Sequence, residues 1–339
     1  MENNAKLESG DIRLRIETTR ANQTFQLFYQ ITTEEGGFVS IDWGDGNKET
    51  LTSKTTYQPT HTYAVVGEYT VKLTGSKFTG VEGVYGSDYD AFRAAVREIL
   101  SLKMPADSTS VSLYCAFYEC TRLTGSIPAW EANITDASGT YYRCSGLSGN
   151  IPAWGAKITD AEYTYAGCYG LTGFIPTWGA NITDASFTYR GCAGLTGSIP
   201  EWGANITNAY HTYYGCSGLT GNIPEWNAKI WDASGTYYGC RGLTGSIPEW
   251  GKNITYASFT YRGCAGLTGS IPEWGANITV ANSTYRDCSG LAGCSEELLR
   301  DPTPSRITSH ADCVSGCAEA IRQHFKADWG GTKIRWCFP

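Results

Sequence analysis

From Leu123 onward the apolar positions return as whole sets, 24 residues apart. Leucines stand at Leu123, Leu147, Leu171, Leu195, Leu219, Leu243, Leu267 and Leu291, and cysteines at Cys120, Cys144, Cys168, Cys192, Cys216, Cys240, Cys264 and Cys288. Ile-Pro pairs from Ile127-Pro128 to Ile271-Pro272 keep the same period, as do the columns Trp130 to Trp274, Ile134 to Ile278, Ala137 to Ala281 and Tyr141 to Tyr285. The unit reads L-x-G-x-I-P-x-W-x-x-x-I-x-x-A-x-x-T-Y-x-x-C-x-G. Such a period predicts one coil of a solenoid, because a single turn cannot bury its apolar face alone. In LTGSIP, Leu and Ile lie an even number of residues apart, so both point inward from a short strand that Pro ends. TYYGC is a second apolar pass, a helical turn or irregular arc on the opposite side. Glycine after each Cys-x is expected to supply the permissive backbone of a tight corner.

Before the repeats the pattern changes to period two. DIRLRIETT, TFQLFYQITT, FVSIDWGDG and GEYTVKLTG predict half-buried strands, spaced by turn residues as in a small β-sandwich. DYDAFRAAV predicts a short helix joining sandwich to solenoid. VREILSLKMPADSTSVSLYCAFYEC reads as a divergent first coil, with Leu102 and Pro105 echoing their columns and Phe117 in the Tyr slot. After Leu291 the pattern stops, and a C-terminal cap is expected. There Asp312 would N-cap a helix carrying Ala318, Ile321 and Phe325, with Gly330-Gly331 ending it.

AYHTYYGCSGLTGNIP resembles the BspA-type leucine-rich repeat, F-x-x-C-x-x-L-x-x-I-x-I-P, with Tyr213 in the Phe slot. Asn222 stands where that pattern has its first Ile, and Ile223 follows one residue early. SIDWGDGNKET followed by HTYAVVGEYTVKL resembles the PKD domain, an Ig-like module. Trp43, Gly44, Asp45 and Gly46 match its W-G-D-G turn, and His61, Tyr63, Gly67, Tyr69 and Val71 match its H-x-Y…G-x-Y-x-V stretch. The resemblances imply a mainly β chain, an Ig-like β-sandwich followed by a leucine-rich-repeat solenoid with a short helical C-terminal cap. The expected boundaries are 1–10 for an N-terminal tail, 11–78 for the sandwich, 79–96 for a linker, 97–293 for the solenoid and 294–339 for the cap. They further imply adhesion or recognition at a bacterial cell surface or on a phage, with a host or cell-surface protein or glycan as partner.

Composition narrows this. A net charge of −7 gives no footprint for a nucleic-acid backbone or an anionic membrane. No apolar run approaches the ~20 residues that span a bilayer. MENNAKLESGDIRLRIETT lacks the basic and apolar regions of a signal peptide, so export by another route, as within a virion, or a start after cleavage is expected.

The 13 cysteines fall mostly in one column, where a small apolar thiol suits a buried corner, although neighbouring coils lie close enough for disulfides. Sequons at Asn133, Asn181, Asn205, Asn253 and Asn277 follow the period too, and read more simply as turn residues. Glu201, Glu225, Glu249 and Glu273 form an acidic column, read as a solvated edge. His310, Cys313, Cys317, His324 and Cys337 match no recognised zinc spacing. No acid–base or nucleophilic constellation converges, so the chain reads as non-enzymatic and free of cofactor.

Variation within the unit points to the candidate binding residues. The slots before Thr-Tyr hold Tyr163, Phe187, Tyr210, His211 and Phe259; the slot after Tyr holds Arg190, Tyr214, Tyr238, Arg262 and Arg286. They are expected either as an exposed recognition stripe or as a structural stack along the core edge. The block ASFTYRGCAGLTGSIPEWGANIT occurs unchanged from Ala185 and from Ala257, which suits an arm of variable coil number. A virion tail component, the targeting module of a glycan-active system and self-association are alternative readings.

Overall fold

The computed structural model describes residues 9–52, 56–84, 90–295, 305–319 and 321. The fold is mainly β, with one short helix and no closed barrel among these residues. Two compact units divide the chain, residues 1–170 and 171–339.

In the first unit, β1 (Gly10–Thr18), β3 (Gln30–Asp42), β4 (Lys48–Leu51), β6 (Gly67–Glu82) and β7 (Val96–Lys103) form a sheet in the order β4-β3-β6-β1-β7. The alternation in β1 buries Ile12, Leu14 and Ile16 on one face. TFQLFYQITT is two strands: Phe28 takes a φ of 53°, which separates β2 (Gln23–Gln26) from β3. β2 pairs with β5 (Thr60–Tyr63) in a sheet of its own. The WGDG turn is tied to β5 by side chains of both. Asp45 Oδ2 meets His61 Nε2 at 2.7 Å, and the Tyr63 hydroxyl donates to the Trp43 carbonyl at 2.8 Å. Burial raises the Asp45 carboxyl, but hydrogen bonds from His61 and Asn47 outweigh it and leave the group below its usual value.

The segment after β5 extends the N-terminal sheet and includes the expected short helix. β6 runs on to Glu82, the helix α1 spans Asp90–Ala95, and β7 pairs antiparallel with β1. Val96–Lys103 thus belongs to the N-terminal sheet and also meets the first full repeat: the Arg97 carbonyl accepts from the Thr124 N–H at 2.8 Å, as the Gly125 carbonyl does from Ser148 one coil later. The coils begin with β8 (Val111–Ser112), which pairs in parallel with β6 on one side and β9 (Ile134–Asp136) on the other. The core is continuous across this junction: Phe28 packs on Phe92 at 5.2 Å and on Phe117 at 5.8 Å, and Phe117 stacks on Tyr141 at 5.6 Å.

In each unit the coils stack in parallel. Bridges join Gly125 to Leu147 in the first, and Gly197 to Leu219 and Gly221 to Leu243 in the second. Leu, Ile, Trp, Ala, Tyr and Cys columns are all buried. Burial of a large apolar side chain contributes about 1.5–3 kcal/mol, so each coil is held mainly by its neighbours. Tyr189, Tyr213, Tyr237, Tyr261 and Tyr285 stack ring on ring at 5.7–5.8 Å. Thr236 Oγ1, wholly buried, donates to the carbonyls of Ala209 and Ala233. The glycine after Cys-x answers to proximity, not to a left-handed corner. A Cβ on Gly218 would lie 2.5 Å from the Leu195 carbonyl oxygen.

No described cysteine is disulfide-bonded. Cys216, Cys240 and Cys264 donate their S–H groups to the carbonyls of Tyr189, Tyr213 and Tyr237 at 3.0–3.1 Å. The sequon asparagines also bond between coils: Asn205, Asn253 and Asn277 donate to the carbonyls of Ala180, Ala228 and Lys252. Glu201, Glu225, Glu249 and Glu273 are exposed.

The expected cap helix does not start at Asp312. That residue has a φ of 54°, the value Ser283 has one coil earlier. Ile307, Val314 and Cys317 fill the positions of Ile278, Tyr285 and Cys288, and Cys317 donates to the Tyr285 carbonyl at 3.0 Å. A further coil follows after an insertion, and helical backbone begins only at Glu319. Phe325, Gly330-Gly331, His324 and Cys337 lie outside the described residues.

Candidate functional site

Every coil turns through a left-handed residue just before Thr-Tyr. φ is 54° at Tyr163, 55° at Phe187, 54° at His211, 60° at Phe259 and 54° at Ser283, with 60° at Gly139 and Gly235. In the coils from Gly139 to Gly235 an Asp or Asn three residues earlier sets up the turn by accepting the backbone N–H two residues on, whereas Tyr256 and Val280 hold that position before Phe259 and Ser283. Ser138 donates to Asp136, Ser186 to Asp184, Tyr210 to Asn208 and Ser234 to Asp232. A left-handed L-residue costs roughly 1–2 kcal/mol. Because the strain recurs in every coil, it belongs to the architecture, and the side chains it presents differ from coil to coil.

Each of the ten predicted residues lies at or beside this turn in its own coil, Tyr163 in the first unit and the rest in the second, and each is half-buried. They do not form a freely exposed stripe, because the rings and guanidinium groups cover one another. Tyr214 and Tyr238 stack at 4.3 Å and 9°. Arg190 lies over Tyr214 from the coil before, and Arg262 over Tyr238 from the coil after, both at 5.2 Å. The same two arginines also cover Phe187 and Phe259 at 5.8 Å. Tyr210 stacks on His211 at 4.1 Å, and Phe187 meets both edge-on at 4.9 and 5.3 Å.

Beside this stack opens a cavity of about 540 Å³, lined by Tyr210, His211, Tyr214, Tyr238, Phe259 and Arg262 from the predicted set. Asp232, Ser234, Tyr256, Ser258 and Val280 complete it. Sequence reasoning missed these five, although the Asp/Asn column at 136, 160, 184, 208 and 232 keeps the repeat period. Burial raises the Asp232 carboxyl, with hydrogen bonds from Ser234 opposing it. Burial, aided by Arg190, lowers His211 to about 4, and its Nδ1 has no hydrogen-bond partner to orient it as a base. Burial first, then Tyr238, raises the Tyr214 hydroxyl.

Two predicted residues stand apart from this cluster. Arg286 is tied to Asp312 at 3.0 Å. Tyr163 lines a cavity of about 300 Å³ in the first unit, with Tyr114, Cys115, Tyr118, Ser138, Gly139, Tyr142 and Glu162. A further cavity in that unit, about 470 Å³ beside Lys103, Glu131 and Lys157, has no aromatic lining. No cluster of His, Cys, Asp or Glu that could hold a metal occurs among the described residues, and no described helix is long and apolar enough to cross a membrane.

The model of a family described as "Mycoplasma protein of unknown function, DUF285" matches residues 111–226 and, overlapping them, 185–292. No curated protein matches the chain.

Proposed function

The chain belongs to the DUF285 family, and from its own geometry we propose that it is a non-enzymatic recognition protein. It binds protein or glycan ligands through the left-handed edge of its coils, at a cell or virion surface. The observation that carries this reading is the 540 Å³ cavity walled by aromatic rings and Arg262, residue types enriched where binding energy concentrates. The half-buried rings beside it are already packed, so a ligand would meet a preorganised surface and little side-chain entropy would be lost. In the same reading the coils are a BspA-type leucine-rich-repeat solenoid and the N-terminal strands a PKD-like, Ig-like sandwich that serves as a spacer. The resemblances in sequence and the parallel coils support it.

The test is a glycan and protein binding screen of the full chain against a variant carrying Arg190→Ala, Tyr214→Ala and Arg262→Ala. Ligands captured by the wild type are expected to be lost in the variant while its circular dichroism is kept. Unchanged capture overturns the assignment to this edge.

A further inference from the structure

We propose that Gly139 and Gly235 each open a niche for a pyranose ring, giving the chain two equivalent sites for neutral glycans. This rests on the left-handed edge being the recognition surface, and adds the class of ligand and the number of sites.

The left-handed slot is filled by a side chain at Tyr163, Phe187, His211, Phe259 and Ser283, and is empty at Gly139 and Gly235. Around both glycines the sequence is the same, DASGTYY, at 136–142 and at 232–238. A Cβ on Gly235 would lie 2.1 Å from His211 Cδ2, and one on Gly139 would lie 2.8 Å from Cys115 Sγ. With glycine there, the side chain of the preceding coil leans over the bare backbone. Gly139 lines the first aromatic cavity, and the neighbours of Gly235, Ser234 and Tyr238, line the second. Their walls correspond four repeats apart: Tyr118 with Tyr214, Ser138 with Ser234, and Tyr142 with Tyr238.

The correspondence extends to geometry. Tyr118 stacks on Tyr142 at 4.7 Å and 13°, as Tyr214 does on Tyr238. Each of the four rings carries a guanidinium, from Arg93, Arg143, Arg190 and Arg262, at 4.9–5.2 Å. Ring faces engaged by arginine in this way disfavour a quaternary ammonium or lysine guest. Glu162 stands on the first wall with no cation in the lining, and on the second Asp232 offsets Arg262, so neither site offers an acidic sugar a net positive charge. What remains suits a neutral ring with an apolar C–H face and hydroxyls. Tyr163 or Phe259 offers the aromatic surface, and serine and tyrosine hydroxyls with the carboxylate offer hydrogen bonds. The volumes fall within or at the lower edge of the usual range for small-ligand sites, roughly 300–1,000 Å³.

Calorimetric titration of the full chain with chitobiose, cellobiose, lactose and maltose tests this. At least one probe is expected to bind at two sites per chain. Gly139→Asn and Gly235→Asn, which keep a residue tolerant of the left-handed conformation, should each remove one site, and the double variant both. Should an Asn variant fail to fold, Tyr142→Leu and Tyr238→Leu decide the matter, each expected to weaken its own site at least tenfold. Binding that survives in the double Asn variant, or in both Leu variants, overturns the niches. Capture confined to sialylated or uronic-acid glycans overturns the neutral class. If no probe binds while the array still shows capture dependent on Arg190, Tyr214 and Arg262, the glycan niches fall and the recognition reading stands. A silent array removes both.

Discussion

Trp178 donates its indole N–H to the hydroxyl of Tyr213, one coil further along, at 3.1 Å. Trp226 to Tyr261 and Trp250 to Tyr285 repeat the bond at 3.0 and 3.1 Å, and in the first unit Trp130 to Tyr165 does so at 2.9 Å. Each Trp also packs on the Tyr of its own coil, Trp178 on Tyr189 at 5.5 Å. One side chain therefore ties two coils together, by packing within its own and by a buried hydrogen bond to the next.

Tyr261→Phe keeps the ring stack and removes only the acceptor, leaving the Trp226 N–H buried and unpaired. The expected loss is about 1–3 kcal/mol, the cost of stranding a buried donor. Urea denaturation followed by tryptophan fluorescence measures it; a loss below the error of the method would show that water satisfies the indole.

Much of this framework is legible in the sequence because burial and period coincide. Leu219, Ile230, Trp226, Tyr237 and Cys240 recur since each must meet its copy in the adjoining coil. The candidate edge was legible as a set of variable positions, but its packing was not. Whether Arg190 points to water or over Tyr214 depends on a left-handed backbone and on a ring supplied by another coil. The coil containing Ile307 and Cys317 is hidden in the sequence because an insertion shifts it out of the period and Val314 replaces the tyrosine. TFQLFYQITT read as one strand because alternation does not reveal the kink at Phe28.

Gly218→Ala should destabilise the second unit more than an ordinary exposed-loop substitution. Its Cβ would fall 2.5 Å from the Leu195 oxygen and 2.7 Å from the Ala193 oxygen, both backbone atoms that cannot swing aside. Separation of two coils against this packing is expected to cost about 1–3 kcal/mol or more. A thermal melt of the variant checks it, and an unchanged midpoint would mean the coils can slide apart freely.

Cys144, Cys216, Cys240 and Cys264 are wholly buried, and burial raises each thiol well above its ordinary value. A thiolate is the reactive form, so this column should react slowly with an aromatic disulfide reagent at pH 8 and rapidly once denatured. Cys294 is only partly buried and is raised to about 11, so it should react earlier than the column. Mass spectrometry of the labelled peptides separates the two groups; early labelling of the column would contradict the packing.

His211 gives the edge a pH dependence whose sign follows from its lowered pKa. Burial and the nearby Arg190 hold the folded imidazole at about 4, below its ordinary 6.5. The neutral ring is favoured in the fold, so its contribution is complete above pH 6.5. As pH falls below 6.5 the unfolded chain takes up a proton that the folded chain refuses, and stability declines until the pH has passed below about 4, where both forms are protonated. His211→Phe places in this slot the residue found at Phe187 and Phe259, which should remove this part of the decline between pH 6.5 and 4. The comparison requires melts of wild type and variant at pH 7.5, 5.5 and 4. Parallel curves for the two proteins would show that His211 is already accessible to protons in the fold.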